Sequence, residues 1–558
     1  MKKHKLIIFI LIICLGIFFR FFRLTEVPLG LYPDEAMNGN NALEAQATRN
    51  YKFFYPENNG REGFFINMQS IALALVGNEP WALRGVSGVM GTLTILGVFL
   101  VTKELFSQHG NKRKRNAATT IALIAAFFTA TSYWHVHFSR IGFRAIMFPL
   151  VTTFALYFLL KGLRTKRVST LAIAGFFTGL GFHTYIAFRF FPFIAAIPLI
   201  ADLKSYYRAK TTHTKQQKKS FDLSCSPCAA TLYLFVTFVI ALPIGVYFLQ
   251  HPQDFIGRSN QVSIFATKSP VNAFIQSNIK TWGMIAVRGD CNWRHNYDCR
   301  PALVWPLALF FGVGMVVTIR NLFTRAYERS STPLILLGWL MIMSLPATLT
   351  WEGLPHALRS IGMIPPIIIL AALGCWRLVR AVLDWFERQK SRVPEKIMQI
   401  TRVQKEIKTL VMLMLLLVPI STYRAYFLFW ANNPNTYTAF STDLYHIGQY
   451  VREKTPDITA YVVVNLDGTD VRGIPMPAQT VMFVTNTFQA SEQMRQHIFY
   501  LRANQLDQIH TQKEQKTMIV FLNGDDKKTI SALQKKFPDV RPRAPGDFII
   551  LENYWDSS

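Results

Sequence analysis

The sequence predicts a polytopic α-helical membrane protein that ends in a soluble α/β domain, and three observations carry that reading. The 558 residues are 51% hydrophobic and 14% aromatic but only 17% charged, too apolar for an ordinary soluble chain of this length. Apolar runs long enough to cross a hydrocarbon core of about 30 Å recur from the N-terminus to residue 430. Beyond Trp430 the sequence turns polar, with short β-rich runs between helical stretches. A net charge of +27 does not indicate a nucleic-acid partner, because the basic residues sit in short clusters between apolar runs, as cytoplasmic loops do.

The elements follow in order. MKKHKLIIFILIICLGIFFRFF has the basic start and apolar centre of a signal peptide, but the bulky FFRFFRLTEVP that follows offers no small-residue cleavage site, so it reads as a retained first helix over 5–23. With Lys2, Lys3 and Lys5 inside, that helix exits outward. The clusters KRKR (112–115) and KGLRTKR (161–167), the segment from Lys204 to Lys219, the loop from Arg320 to Arg329 and the stretch from Arg377 to Lys408 are then cytoplasmic. Spans at 85–106, 117–137, 145–161, 168–185, 188–203, 229–249, 302–319, 332–350, 357–377 and 409–428 satisfy that parity. This holds provided GFFINMQSIALALVG (63–77) lies in the outer interface rather than crossing. The prediction is about 11 transmembrane helices and a first outer loop over 24–84. Residues 1–430 form the membrane domain and 431–558 an extracytoplasmic α/β domain. In that domain AYVVVNL, TVMFVT, TMIVFL and DFIILE read as strands, and STDLYHIGQYVREK and KKTISALQKKF as helices. With no Gly-rich phosphate loop it reads as an accessory or partner-binding module.

Cys14 and Cys375 fall in apolar runs and read as core residues. Cys291 and Cys299 bracket CNWRHNYDC on the outer side, where a disulfide persists. Cys225 and Cys228 form a lone CxxC near the cytoplasm, expected as two inert thiols, with a redox or zinc role as the alternative.

The outer face carries polar residues that a bilayer does not require. Tyr32, Asp34 and Glu35 stand in LYPDEA directly after the first helix. Arg61 and Glu62 lie in NNGREGFF, Arg140 and Arg144 in HFSRIGFRA, His183 and Arg189 in GFHTYIAFRFF, and His356 and Arg359 in EGLPHALRS. Each has a plain structural reading: arginines snorkel to headgroups, and an acid after Pro33 caps a helix. In combination they suit transfer from a lipid-linked phosphate. Arginine forks bind the leaving phosphate and stabilise its developing charge, and a carboxylate takes the proton of the incoming hydroxyl or amine. A second carboxylate raises the first one's pKa or orients the acceptor.

In order and spacing, YPDEA, the stretch NNGREGFFINMQSIALALVGNEPWALRGVSGVMGTLTILGVFLVTKELF, HFSRIGFRAIMFP and LPHALRSIGMIPP resemble the membrane-embedded GT-C glycosyltransferases. The likeness is in particular to the family 39-like group related to protein O-mannosyltransferases and the aminoarabinose transferases of lipid A. The resemblance covers residues 1 to about 430 and implies a GT-C fold, a polyprenyl-phosphate sugar donor and transfer on the outer face of the cell membrane. It implies a catalytic carboxylate in the first outer loop, which carries over onto Asp34 with Glu35 completing the pair. It also implies a phosphate-binding cation, a role assigned here to Arg61, Arg140, Arg144, His356 and Arg359, with Tyr32, Glu62, His183 and Arg189 positioning donor or acceptor. The sequence departs from the family in having Arg61 where a lysine in a Lys-Pro context is common. It also has Arg140 and Arg144 where relatives place a second acid, which points to a single base or to Glu35 or Glu62 as the second carboxylate. No metal is implied, and the sequence shows no dense Asp/His cluster. The expected partners are the lipid-linked sugar and an acceptor protein, lipid or glycan. The alternative is a transporter or flippase of a lipid-linked substrate, which calls for polar pairs at the bilayer midplane and two matching halves; the sequence shows neither. A third reading, a non-catalytic scaffold, would tolerate loss of Asp34 and Arg61 together.

Overall fold

The computed structural model describes residues 3–107, 112–212, 225–324, 331–511 and 515–554. The segment from Lys204 to Lys219 and the loop from Arg320 to Arg329 fall partly outside these residues.

Each of the eleven expected spans is helical. Among the described residues, eight helices are long and apolar enough to cross a membrane: Lys3–Phe21, Pro80–Ser107, Arg144–Thr165, Ile186–Arg208, Ser226–Gln250, Trp305–Leu322, Ile361–Arg392 and Ile397–Trp430. Val168–Gly181 and Thr332–Thr348 are shorter apolar helices, and Lys112–Thr131 opens on the four basic residues of KRKR, which lower its mean hydropathy. Large apolar side chains such as Leu234, Phe235, Phe238 and Leu242 are exposed on Ser226–Gln250. In water that face would be costly; against lipid tails it is the expected outer surface, since the helix satisfies its own backbone. Gly63–Val76, the expected interfacial segment, forms a helix of 14 residues, short of the roughly 20 a crossing needs.

The chain divides into two compact units, and not at residue 430. One comprises Met1–Phe22 and Ser87–Phe429; the other joins Arg23–Val86 to Trp430–Ser558. The first outer loop, expected to belong to the membrane domain, therefore forms one body with the C-terminal segment. The reason is a shared apolar core in which Leu31, Ala36, Ala42, Tyr55, Ile66 and Leu83 pack with Phe483 and Val484.

Within the second unit, strands β1 (Phe54–Tyr55) and β2 (Arg61–Glu62) form a small antiparallel pair. Strands β3 (Thr459–Val464), β4 (Asp470–Val471), β5 (Ile474–Pro475), β6 (Ile498–Arg502), β7 (Thr517–Phe521), β8 (Arg541–Arg543) and β9 (Ile550–Glu552) follow. Five of them make one sheet in the order β6-β3-β7-β9-β8, parallel across β6, β3 and β7 and antiparallel at β9 and β8. AYVVVNL, TMIVFL and DFIILE thus supply strands, and the two expected helices form as Thr442–Lys454 and Lys527–Lys536. TVMFVT does not: it lies in the helix Ala478–Thr485, all eight residues of which are buried. Burial on every side removes the alternation that separates strand from helix, and tertiary packing overrides the β-branched preference.

Among the thiols, Cys375 is buried and Cys14 is exposed on the first helix, so only the former is a core residue. Cys291 and Cys299 are joined. Cys225 and Cys228 are joined as well, not the free thiols expected, because three-residue spacing at the start of Ser226–Gln250 brings the two sulfurs together.

Candidate active site

The acidic pair sits in the first turn of the helix Pro33–Thr48. Pro33 presets the helical φ at the first position, and Glu35 reaches back to the Tyr32 backbone N–H at 3.4 Å, a reciprocal cap of that turn. Successive residues on a helix point about 100° apart, so the two carboxylates part company. Glu35 is fully buried and paired fork to fork with Arg84, both contacts at 3.1 Å. The remaining Arg84 donors go to the Pro28 and Gly30 carbonyls at 2.6 and 2.8 Å. This ion pair fixes the entry of the chain into the helix.

Asp34 stays half-buried and accepts a hydrogen bond from Asn58 Nδ2 at 2.5 Å. The turn that delivers Asn58 is a run of three left-handed residues, Asn58, Asn59 and Gly60, with φ of 53°, 63° and 79°. Asn and Gly are the residues that visit this region at least cost, which is why NNG stands at this point.

Asp34, Asn38 and Asn41 recur at i, i+4 and i+7 and so share one face of the helix. Arg61 lies against that face: Nη1 donates to Asn38 Oδ1 at 2.8 Å, Nη2 to Asn41 Oδ1 at 2.5 Å and Nε to the Glu57 carbonyl at 3.3 Å. The guanidinium is 2% exposed, so a phosphate would have to displace an amide to reach its fork. Glu62 is buried in β2 and starts the helix Gly63–Val76. A second cationic centre braces the site from outside. Arg472 donates to both oxygens of Glu44 at 2.7 and 2.8 Å and to Glu57 at 2.8 Å. Burial raises the Glu57 pKa, but the hydrogen bond from Arg472, with smaller contributions, outweighs it and leaves the carboxyl below its ordinary value.

The other expected site residues belong to the membrane-helix unit. Arg140 is fully buried, donates to the Phe19 carbonyl at 3.1 Å and stacks on the rings of Tyr426 and Phe427 at 5.0 and 4.9 Å. Arg144 is half-buried and 5.8 Å from the Tyr185 ring. His183 contacts the Ile240 carbonyl at 2.9 Å. Arg189 donates to the Phe255 carbonyl at 3.0 Å and covers that ring at 3.8 Å. Arg359 donates to Thr350 Oγ1 at 3.0 Å and to the Glu352 carbonyl at 2.7 Å.

His356 lies 4.8 Å, ring to ring, from His295, and these two with Asp290 form a compact Asp/His group among the described residues. The sequence hides this cluster because its members come from two separate loops. Other signals were present but unread: Asn38 and Asn41 repeat Asp34's helical face, and Arg84 stands just after the NEP turn. Nothing local announces that Arg84 belongs to Glu35.

An array of long apolar helices with a mixed α/β unit reads as a multi-pass membrane protein, and the chain has the GT-C fold of the ArnT structures it resembles. Residues 64–215 match the family described as dolichyl-phosphate-mannose-protein mannosyltransferase, a match that begins downstream of Asp34 and Arg61. No curated protein matches the chain by sequence. Among solved structures the chain is similar to ArnT from Cupriavidus metallidurans. The likeness to its apo state has a TM-score of 0.59 at 12% identity, over 99% of this chain and 98% of that one. For the undecaprenyl phosphate-bound state the TM-score is 0.56 at 11% identity, over 99% of both chains. An oligosaccharyltransferase from Archaeoglobus fulgidus aligns at a TM-score of 0.49 and 16% identity, over 87% of this chain and 64% of that one.

Proposed function

We propose that the protein is an inverting glycosyltransferase that moves a sugar from a polyprenyl-phosphate donor to a hydroxyl or amine acceptor on the outer face of the membrane, with Asp34 as general base. The observation that carries this reading is the division of labour in the acidic pair. Arg84 occupies both Glu35 oxygens inside the protein, whereas Asp34, about 100° around the helix, keeps a half-buried carboxylate aimed by Asn58. Glu35 is thereby a positioning residue. The GT-C fold supports the reading, as does the lipid phosphate that the ArnT structure from Cupriavidus metallidurans holds.

In the proposed reaction Asp34 accepts the acceptor's proton as the acceptor oxygen or nitrogen bonds to the anomeric carbon. The bond from that carbon to the phosphate oxygen breaks, its electron pair leaves with polyprenyl phosphate, and the configuration inverts. Arg61 supplies a fixed positive charge under the helix face that bears Asp34, held in place by Asn38 and Asn41. Arg140 in the membrane-helix unit does not suit a phosphate-binding role, because its guanidinium is buried against Tyr426 and Phe427.

The test is reconstitution of the purified protein with a panel of polyprenyl-phosphate sugars and acceptors, following release of polyprenyl phosphate. Release with at least one donor, lost in Asp34→Asn while donor binding persists, is the expected result. A protein that folds and binds donor but turns over equally well without the Asp34 carboxylate would not use it as a base.

A further inference from the structure

We propose that Asp290, His295 and His356 form a divalent transition-metal site, with zinc as the best-suited ion, that ties two loops of the membrane-helix unit together. The three residues each offer one ligand atom, and these atoms all lie within 4.8 Å of one another. Two imidazole nitrogens and a carboxylate oxygen are a donor set that zinc takes readily, leaving a fourth position for water. A tetrahedral zinc with bonds of about 2.0–2.1 Å sets its ligands about 3.3 Å apart. Asp290 Oδ2 and His295 Nδ1 are already 3.0 Å apart, so closing the site requires a rotation of the half-buried His356 ring. One contact of His356 in its present orientation is a long one, from the Arg359 backbone N–H to Nδ1 at 3.4 Å.

The surroundings are built to hold these groups in place. Asp290 is 3% exposed and His295 6%, and burying a carboxylate beside an imidazole is costly unless something compensates the charge. Asp290 Oδ1 accepts the Asn292 N–H at 2.8 Å and Oδ2 the Ala357 N–H at 2.8 Å. Asn296 Nδ2 bridges the Asp290 and Arg300 carbonyls at 2.8 and 2.7 Å. The Cys291–Cys299 disulfide closes the segment that carries His295. Trp134 Nε1 anchors the other loop through the Ala357 carbonyl at 3.2 Å. Oriented ligands and a supporting layer of hydrogen bonds distinguish a metal site from a chance encounter of polar side chains. On this assignment His356 is a ligand rather than a contact for the donor's phosphate.

The experiment uses the full-length protein in detergent with a histidine-free affinity tag, so its outcome does not depend on turnover or on Asp34. Elemental analysis after purification without chelator is expected to give about one zinc per chain. Cobalt(II) added to the stripped protein is expected to produce the visible absorption of a four-coordinate nitrogen and oxygen site. His356→Gln, the least buried of the three changes, and His295→Gln are expected to weaken zinc binding at least tenfold. Both variants should keep the Cys291–Cys299 disulfide and the wild-type elution volume. Chelation is expected to lower the unfolding temperature of the wild type and leave that of His356→Gln unchanged. Absence of retained metal and of the cobalt spectrum in the wild type, or equal zinc affinity in wild type and both variants, would show a hydrogen-bonded cluster and overturn the site.

Discussion

At the scale of single residues, two adjacent carboxylates have opposite fates. In the proposed reaction Asp34→Asn removes the proton acceptor while keeping the shape and a hydrogen-bonding oxygen for Asn58. Turnover is expected to fall by about 10²–10⁴, with the unfolding temperature little changed; steady-state release of polyprenyl phosphate and a thermal melt measure the two separately. Glu35→Gln has the reverse signature. It leaves the Arg84 charge buried without its carboxylate, a loss of about 3–5 kcal/mol when one partner of a buried pair is removed. The melt should drop sharply, whereas protein that remains folded should keep donor affinity. A stable Glu35→Gln variant with lost turnover would instead give Glu35 the chemical role. The acidic pair after the first helix, and the arginines and histidines expected to serve with it, were legible in YPDEA and its companion motifs. The Glu35–Arg84 pairing was not, because it joins side chains far apart in sequence and no local pattern encodes it.

At the scale of elements, the helix Pro33–Thr48 is the part on which the rest depends. One face carries Asp34 and the two amides that hold Arg61, while the other packs on Ala478–Thr485. Gly39 marks the closest approach: a Cβ there would come within 2.3 Å of the Phe483 ring. Asn40 Nδ2 reaches the Gln479 carbonyl and side chain at 3.1 and 2.9 Å. Gly39→Ala is therefore expected to destabilise the second unit by about 1–3 kcal/mol through overpacking, and Phe483→Leu in the same chain should recover part of that loss. A double-mutant cycle on chemical denaturation measures the coupling; strict additivity would mean that the two residues do not press on each other. The hydrophobic spacing did forecast both helices flanking the strands of this unit. It mistook TVMFVT for a strand because an element buried all round carries no period.

For the whole molecule, the consequence is that the segment after Trp430 is no appendage to the acidic loop: it shares a core with it. Arg472 is the polar counterpart of that core, joining Glu44 and Glu57. Because Glu57 has its pKa depressed in the folded state, it contributes stability above its ordinary value of 4.5, and that contribution is lost as pH falls through the folded value. Wild-type stability should therefore drop on acidification below about pH 4.5, and Arg472→Ala should flatten this part of the profile. Melts across pH 3–7 read both, and parallel profiles would remove Arg472 as the cause. The sequence by itself determined the class of the protein, because long apolar runs, basic loops and alternating runs in the tail are local properties of the chain. It also places two adjacent carboxylates directly after the first helix. Only the tertiary structure decided which segments share a body, which carboxylate is consumed by an arginine, and that an aspartate and two histidines from separate loops meet. Those outcomes depend on long-range packing and on the cost of burying charge, which act between residues that the sequence keeps apart.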